Sequence, residues 1–239
     1  MKSLMMTMAF VAAGFACASE LSTKPLPKMN PRIESRFKAS NEKSFPIVFM
    51  GDSITHGWEG SGKAVYDKYF AGLDILNVAT GGDRTENTIW VIDNVNWQKV
   101  DAKVIMLMIG TNNTGHRPLT PKVEGGPCEK PEDTVEGVKV ILEKLKEKSP
   151  NTKVLLLAIF PRGDNAANGL RVRNNQVNAV LPTLCDGKRV FWYDINSKFL
   201  EADGSTMTRE MMPDLLHPQA KGYTIWAEAV KDKLIELSK

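Results

Sequence analysis

A serine hydroxyl, an imidazole and a carboxylate together carry out nucleophilic acyl transfer, and this chain has a spacing that would assemble them. Asp214 and His217 stand three residues apart in Asp214-Leu215-Leu216-His217-Pro218. On a tight turn that spacing sets the carboxylate against one imidazole nitrogen and leaves the other free to face a serine. The carboxylate would then fix the tautomer and stabilise the imidazolium that forms when a serine proton is taken. Ser53, in Gly51-Asp52-Ser53-Ile54-Thr55, is the matching serine, one turn past an apolar run. Acyl transfer also needs donors for the developing oxyanion. The backbone N–H groups of Ser53 and Gly82 and the side-chain amide of Asn112 are the candidates, and glycine at 82 permits close approach of backbone to substrate. Each feature also has an ordinary reading: a capping Asp beside an unconnected His, a serine bonding its own turn, or common turn chemistry for Gly and Asn.

The elements that must position these residues follow from the apolar pattern. Phe45 to Met50, Leu73 to Val78, Val104 to Ile109, Val154 to Ile159 and Arg189 to Tyr193 read as five strands. The third and fourth are near-continuous apolar runs, as expected of strands covered on both faces of a parallel sheet. Val135, Val138, Leu142 and Leu145 fall on one helical face, and Ser149-Pro150 stops that helix. Tyr223, Trp226, Val230 and Leu234 make the same stripe on the last helix. Strands alternating with helices predict one α/β domain, an open parallel five-stranded sheet with helices on both sides, over residues 45–239. Ligands bind at the carboxyl ends of the strands in such sheets. Gly51-Asp52-Ser53, Gly81-Gly82-Asp83, Gly110-Thr111-Asn112-Asn113, Pro161-Arg162-Gly163 and the Asp214–His217 turn all fall on that edge.

Composition narrows the partners. Lys and Arg total 31 against 28 acidic residues, a formal charge of +3 with no basic stripe, so nucleic acid has no electrostatic footing. A small-molecule or glycan substrate fits better. Lys2, the apolar stretch from Leu4 to Phe15 and Ala16-Cys17-Ala18 match a secretory signal peptide over residues 1–18, cleaved after Ala18. The apolar run is short for a membrane span, and nothing later could cross a bilayer, so no stable membrane insertion is expected. The localisation read from this is secreted or periplasmic, with lipidation at Cys17 as the minor alternative. Residues 19–44, polar and carrying Pro25, Pro27 and Pro31, read as a linker leading into a short helix. After cleavage Cys128 and Cys185 remain, on opposite edges of the sheet and so about 20 Å apart. Two free thiols are expected. There is no C-x-x-C, and three histidines spread along the chain form no metal site by spacing, so neither metal nor cofactor is expected.

The four motif blocks, Gly51-Asp52-Ser53, Gly82, Gly110-Thr111-Asn112-Asn113 and Asp214-x-x-His217, resemble those of the SGNH (GDSL-type) serine hydrolases. Within that superfamily Gly81-Gly82-Asp83, Pro161-Arg162-Gly163 and the Asp-Leu-Leu-His turn are most similar to the catalytic subunits of platelet-activating-factor acetylhydrolase Ib and their exported bacterial relatives. The resemblance covers roughly Pro46 to the C-terminus. It implies a flavodoxin-like three-layer αβα fold and an esterase activity. It also implies Ser53 as nucleophile, Asp214 and His217 as the rest of a triad, and an oxyanion hole of Ser53, Gly82 and Asn112. The chain departs from the animal enzymes in its export signal and in a longer loop from Thr114 to Pro131. The phospholipid substrate is therefore not carried over. Exported bacterial relatives often remove O-acetyl groups from glycans, which implies a carbohydrate ester. No lid-like apolar insertion is evident to shelter a long acyl chain, so a short, acetyl-sized group is expected.

Several features have competing readings. Arg162, Trp58 and Leu215 are possible substrate-binding residues; for Arg162 a structural ion pair is the other reading, and Trp90 reads as core packing. His56 and His116 flank the blocks and read as structural or solvated. Gly57-Trp58-Glu59-Gly60-Ser61-Gly62-Lys63 matches a phosphate-loop pattern, but Ala64 stands where Ser or Thr would hold Mg²⁺ and the run begins past the strand end. An acyltransferase using the same triad and a non-catalytic glycan-binding module are the alternatives to an esterase. The oligomeric state is not legible in the sequence.

Overall fold

The computed structural model describes residues 20–115 and 129–239. The signal segment, Cys17, His116 and Cys128 lie outside the described residues. Five strands form one sheet: β1 Ile47–Gly51, β2 Ile75–Asn77, β3 Val104–Met108, β4 Lys153–Leu157 and β5 Val190–Tyr193. Their order is β2-β1-β3-β4-β5, and every pairing is parallel. Helices cover both faces, giving the three-layer αβα architecture the pattern predicted.

Why the strands read as unbroken apolar runs is visible in the packing. Successive side chains point to opposite faces, and both faces are dry. Val48, Met50, Ile105, Leu107, Val154 and Leu156 belong to one core, together with Ile89 and Ile92 of the helix Thr85–Asn94 and with Val138, Ile141 and Leu145 of the helix Pro131–Lys148. Ile47, Phe49, Val104, Met106, Leu155 and Leu157 belong to the other, against Tyr223, Trp226, Val230 and Leu234 of the helix Ala220–Leu237. Each fully buried side chain of this size contributes roughly 1.5–3 kcal/mol by leaving water. The register aligns Gly51 with Met108 and Leu157 with Tyr193, so the carboxyl ends of the strands form a common edge.

Two expectations are corrected. The expected short helix is present, but the stretch ahead of it is packed along its described residues, 20–30, where a linker is expected. A helix Glu20–Thr23 packs on the helices of the first core, and Pro31–Glu42 is a 12-residue helix capped by Asn30, whose side chain accepts from Ile33 N–H. Ile33 is in the core, Leu26 N–H donates to Glu86 O at 3.0 Å, and Arg32 donates to Asn77 O at the end of β2. Pro25 and Pro27 lie in the extended strap between the two helices, and Pro31 opens the second helix at its first position, where no backbone N–H is needed. The second correction is Trp58. It is 0% exposed and sits among Phe49, Phe70, Tyr223 and Trp226, with ring centroids 4.6–6.3 Å apart, so no substrate reaches it. Two glycines of the phosphate-loop-like run serve the same core: a Cβ on Gly57 would lie 2.0 Å from the Tyr223 hydroxyl, and one on Gly62 2.8 Å from its ring. Trp90 packs edge-on against Phe37, a packing role as read. Among the described residues Cys185 carries a free thiol, and no helix is long and apolar enough to cross a membrane.

Candidate active site

The end of β1 admits only glycine. A Cβ on Gly51 would stand 2.3 Å from Met108 O and 2.5 Å from Thr55 Oγ1. The chain can therefore turn at once into the short helix Ser53–His56, whose first turn Asp52 caps by accepting from Ile54 N–H at 2.9 Å. Ser53 thus holds the first helical position, where a backbone N–H has no partner within the helix. Its Oγ lies 2.8 Å from His217 Nε2. His217 Nδ1 lies 2.6 Å from Asp214 Oδ2, and the other carboxylate oxygen accepts from the backbone N–H groups of His217 (2.7 Å) and Leu216 (3.0 Å). One carboxylate therefore builds the turn and binds the ring. An ionised carboxylate only accepts, so Nδ1 carries the proton and Nε2 offers its lone pair to the serine hydroxyl. Partial burial pushes the Asp214 carboxyl up, but the hydrogen bonds from His217 and Leu216 outweigh it and hold the group below its usual range.

The turn is strained where it is tightest. Leu215 adopts φ +60°, the left-handed region that a side chain makes costly. Its carbonyl accepts from Gly163 N–H at 2.8 Å, which ties the turn to the loop after β4. Leu215 is half-buried against the second core.

Asn112 and Gly82 stand on the neighbouring strand ends. Gly110, at φ +129°, turns β3 into the helix Thr111–Gly115, where a Cβ would strike Ile159 and Thr134. Asn112 Nδ2 donates to Asp83 O at 2.8 Å; an amide has two such hydrogens, so one remains. The Asn112 carbonyl accepts from Arg84 Nη1 at 3.1 Å. Arg84, 1% exposed, is itself gripped by Glu86 and, at 2.7 Å, by Glu129. Asn113 Nδ2 donates to Glu129 at 2.8 Å, and Asn113 Oδ1 accepts from Thr85 N–H at 3.1 Å. Gly82 has φ +75°, open to glycine alone without strain.

Arg162 braces this corner. It is buried, its Nη1 donates to Thr111 O at 3.2 Å, and a Cβ on Gly115 would overlap it. Its best-supported role is holding the helix that carries Asn112. Beneath the edge lie two buried carboxyls. Burial pushes Asp52 up to about 6, against its bond from Ile54 and the attraction of His217 and Arg162. Burial likewise pushes Asp83 up to about 7, although Lys28 pairs with it at 3.0 Å. Sequence reasoning missed Lys28, Arg84 and Glu129, and it left out His56. A Cβ on Gly81 would sit 3.9 Å from both Ser53 Cβ and His56 Nδ1, which puts that ring at the site. Its position three residues after Ser53 on one helix was the available signal.

Known proteins resemble the chain in sequence and in fold. The model of the GDSL-like lipase/acylhydrolase family matches residues 49–225, from β1 into the last helix. The chain is 28% identical over 228 residues to human platelet-activating factor acetylhydrolase IB subunit alpha1, covering 90% of each. A solved GDSL-like lipase from Bacteroides thetaiotaomicron superposes with a TM-score of 0.66 at 14% identity, covering 85% of this chain and 97% of that one. An acetylxylan esterase from Geobacillus stearothermophilus does so with 0.61 at 18% identity, covering 80% and 94%. These two likenesses speak to the fold; the family match speaks to the reaction class, hydrolysis of acyl esters. The chain belongs to the GDSL-like lipase/acylhydrolase family.

Proposed function

We propose that this protein is an exported serine esterase that removes short acyl groups, acetyl foremost, from carbohydrate esters. The observation that carries the reading is the continuous chain Asp214–His217–Ser53, with contacts of 2.6 and 2.8 Å, on the strand edge that also bears Gly82 and Asn112. Ser53 Oγ attacks the ester carbonyl carbon while its proton passes to His217 Nε2. The Ser53 and Gly82 N–H groups and the free hydrogen of Asn112 Nδ2 take up the charge on the carbonyl oxygen. The carbon–oxygen bond to the alcohol breaks, and the leaving alkoxide receives the His217 proton. Water then attacks the acyl-enzyme by the same route, releasing the acid and restoring Ser53.

An acetyl preference is supported by the lack of an apolar lid in the sequence. The names of similar proteins, an acetylhydrolase and an acetylxylan esterase, point the same way. Export rests on the pattern of residues 1–18. Leu215, beside His217, is the residue we place against the leaving alcohol.

Hydrolysis of p-nitrophenyl acetate by the mature chain, beside longer acyl esters and Ser53→Ala, tests the reading. Turnover should fall on the order of 10³-fold or more in the variant. It should also fall with acyl length, and acetylated xylan should release acetate. An octanoyl ester cleaved as fast as the acetyl ester would overturn the short-acyl assignment, and an active Ser53→Ala would overturn the nucleophile.

A further inference from the structure

Of the three oxyanion donors proposed above, the Gly82 N–H is the one no helix carries. Ser53 and Asn112 begin or lie within helices, whereas Gly81 and Gly82 are the central residues of a turn closed by Asp83 N–H donating to Thr80 O at 3.1 Å. Two adjacent glycines leave the peptide between them free to rotate at little steric cost. A trans peptide points its C=O and N–H to opposite sides, so whatever grips the oxygen also aims the hydrogen.

Something does grip it. Lys28 Nζ donates to Gly81 O at 2.6 Å and pairs with Asp83 Oδ1 at 3.0 Å. A Cβ on Gly82 would stand 3.3 Å from the same nitrogen. The strap that carries Lys28 is fixed two residues earlier, where Leu26 N–H donates to Glu86 O and Asn87 Nδ2 donates to Leu26 O, both at 3.0 Å. Asn30 caps the following helix. A flexible side chain is thereby anchored at both ends over the central peptide of the turn, which the closing Asp83–Thr80 bond leaves able to flip.

We propose that Lys28 is a positioning residue of the oxyanion hole: its ammonium holds the Gly81 carbonyl and so aims the Gly82 N–H at the ester oxygen above Ser53. The inference rests on the Ser53 site as read above. The bond to Gly81 O also polarises the peptide and makes its N–H a stronger donor. Asp83 fixes where the ammonium sits, and no substrate atom has to touch Lys28.

Deleting an oxyanion donor costs about 10²–10³-fold, and misaiming one costs less, so Lys28→Met should lower kcat by about 10- to 10²-fold. KM should stay within about twofold, since the interaction belongs to the transition state. Lys28→Arg, which can still reach both oxygens, should keep most of the activity. The loss should be the same for phenyl, p-nitrophenyl and alkyl acetates, because the oxyanion forms on the acyl side in each. Gly81→Ala placed in the Lys28→Met chain should recover part of it by stiffening the peptide, since its Cβ clears its neighbours at 3.9 Å.

Steady-state kinetics of these variants beside Ser53→Ala decides the matter. Wild-type kcat in folded Lys28→Met, with Ser53→Ala inactive, overturns the inference and leaves the Ser53 reading standing. An active Ser53→Ala removes the Ser53 reading and this inference with it. A loss that varies with the leaving alcohol would make Lys28 a substrate contact and also overturn the proposal. Should Lys28→Met fail to fold, Lys28→Gln carries the same test, with a kcat loss on the order of tenfold expected and an unchanged kcat fatal.

Discussion

The two halves of the proposed site are built on opposite principles. The half bearing Ser53, Gly82 and Asn112 is bolted into the interior. Asp52, Asp83, Arg84, Asn112 and Asn113 are all at most 5% exposed, and together they follow three neighbouring strands, β1, β2 and β3. The half bearing the base stands in solvent, with side-chain exposures of 37% for His217 and 56% for Asp214, and is held by three hydrogen bonds to one carboxylate. The difference follows from the work each half does. Oxyanion donors act by being fixed before charge appears, so their surroundings must not reorganise. The base must move a proton from serine to a departing alcohol and later take one from water, so it must be reachable. Stability is therefore concentrated on one side of the crevice, and turnover depends on both.

The widest separation of the two quantities should come from Asp214→Asn. The substituted amide can keep the turn but presents the wrong tautomer to the ring, so turnover should fall by about 10²–10⁴-fold. An exposed pair adds little to stability, so the thermal midpoint should move by no more than a few degrees. Kinetics alongside calorimetry measures both; a large drop in midpoint would break the contrast between the halves. Arg84→Met probes the opposite side. It leaves Glu86 and Glu129 buried without their shared cation, which should cost about 3–5 kcal/mol. For a chain of this size that lowers the midpoint by on the order of 10 °C. An unchanged urea midpoint would show that the buried cluster is not what holds this half together.

How much of this was legible in the sequence divides along the same line. The turn of His217 is local, its two groups three residues apart, and the apolar runs that bring it to the sheet edge follow from a two-sided core. Ser53, Gly82 and Asn112 were readable because each directly follows a strand. The buried half was not. Lys28 meets Gly81 across 53 residues and Arg84 meets Glu129 across 45, and no spacing rule links such pairs. The strap was misread as a linker because prolines and polar residues mark loops whether or not those loops are held in place. Trp58 was read as a possible substrate contact because a lone Trp near a motif carries no sign of which face it buries, while its indole fills the space between Phe49 and Trp226.

The buried carboxyls sharpen the comparison through pH. Burial raises Asp52 to about 6 from an ordinary value near 3.8, so between those values the folded chain holds more proton than the unfolded one. Stability then falls as pH rises from about 4 to about 6, with Asp83, raised to about 7, extending the loss upward. Asp214 acts in the opposite sense, being lowered, and its contribution is lost only as pH falls below the ordinary carboxylate range. Asp52→Asn keeps an oxygen to cap Ile54 N–H and removes the charge. The variant should gain up to on the order of 3 kcal/mol relative to wild type between pH 4 and pH 8. Thermal midpoints across that range read it directly, and parallel curves for the two proteins would remove the buried charge from the account.

The smallest effect, and the most exacting for the contrast, is expected at Leu215. Its φ of +60° costs on the order of 1 kcal/mol that glycine would not pay. Its half-buried side chain returns about the same amount through contact with the core. Leu215→Gly should therefore leave the thermal midpoint within about 2–4 °C. Turnover should still fall several-fold, because the glycine frees the turn that sets the distance between Asp214 Oδ2 and His217 Nδ1. If turnover instead held steady while stability changed, the exposed half would owe its geometry to the carboxylate alone. The left-handed residue would then be a by-product of the turn, without a part in positioning the ring.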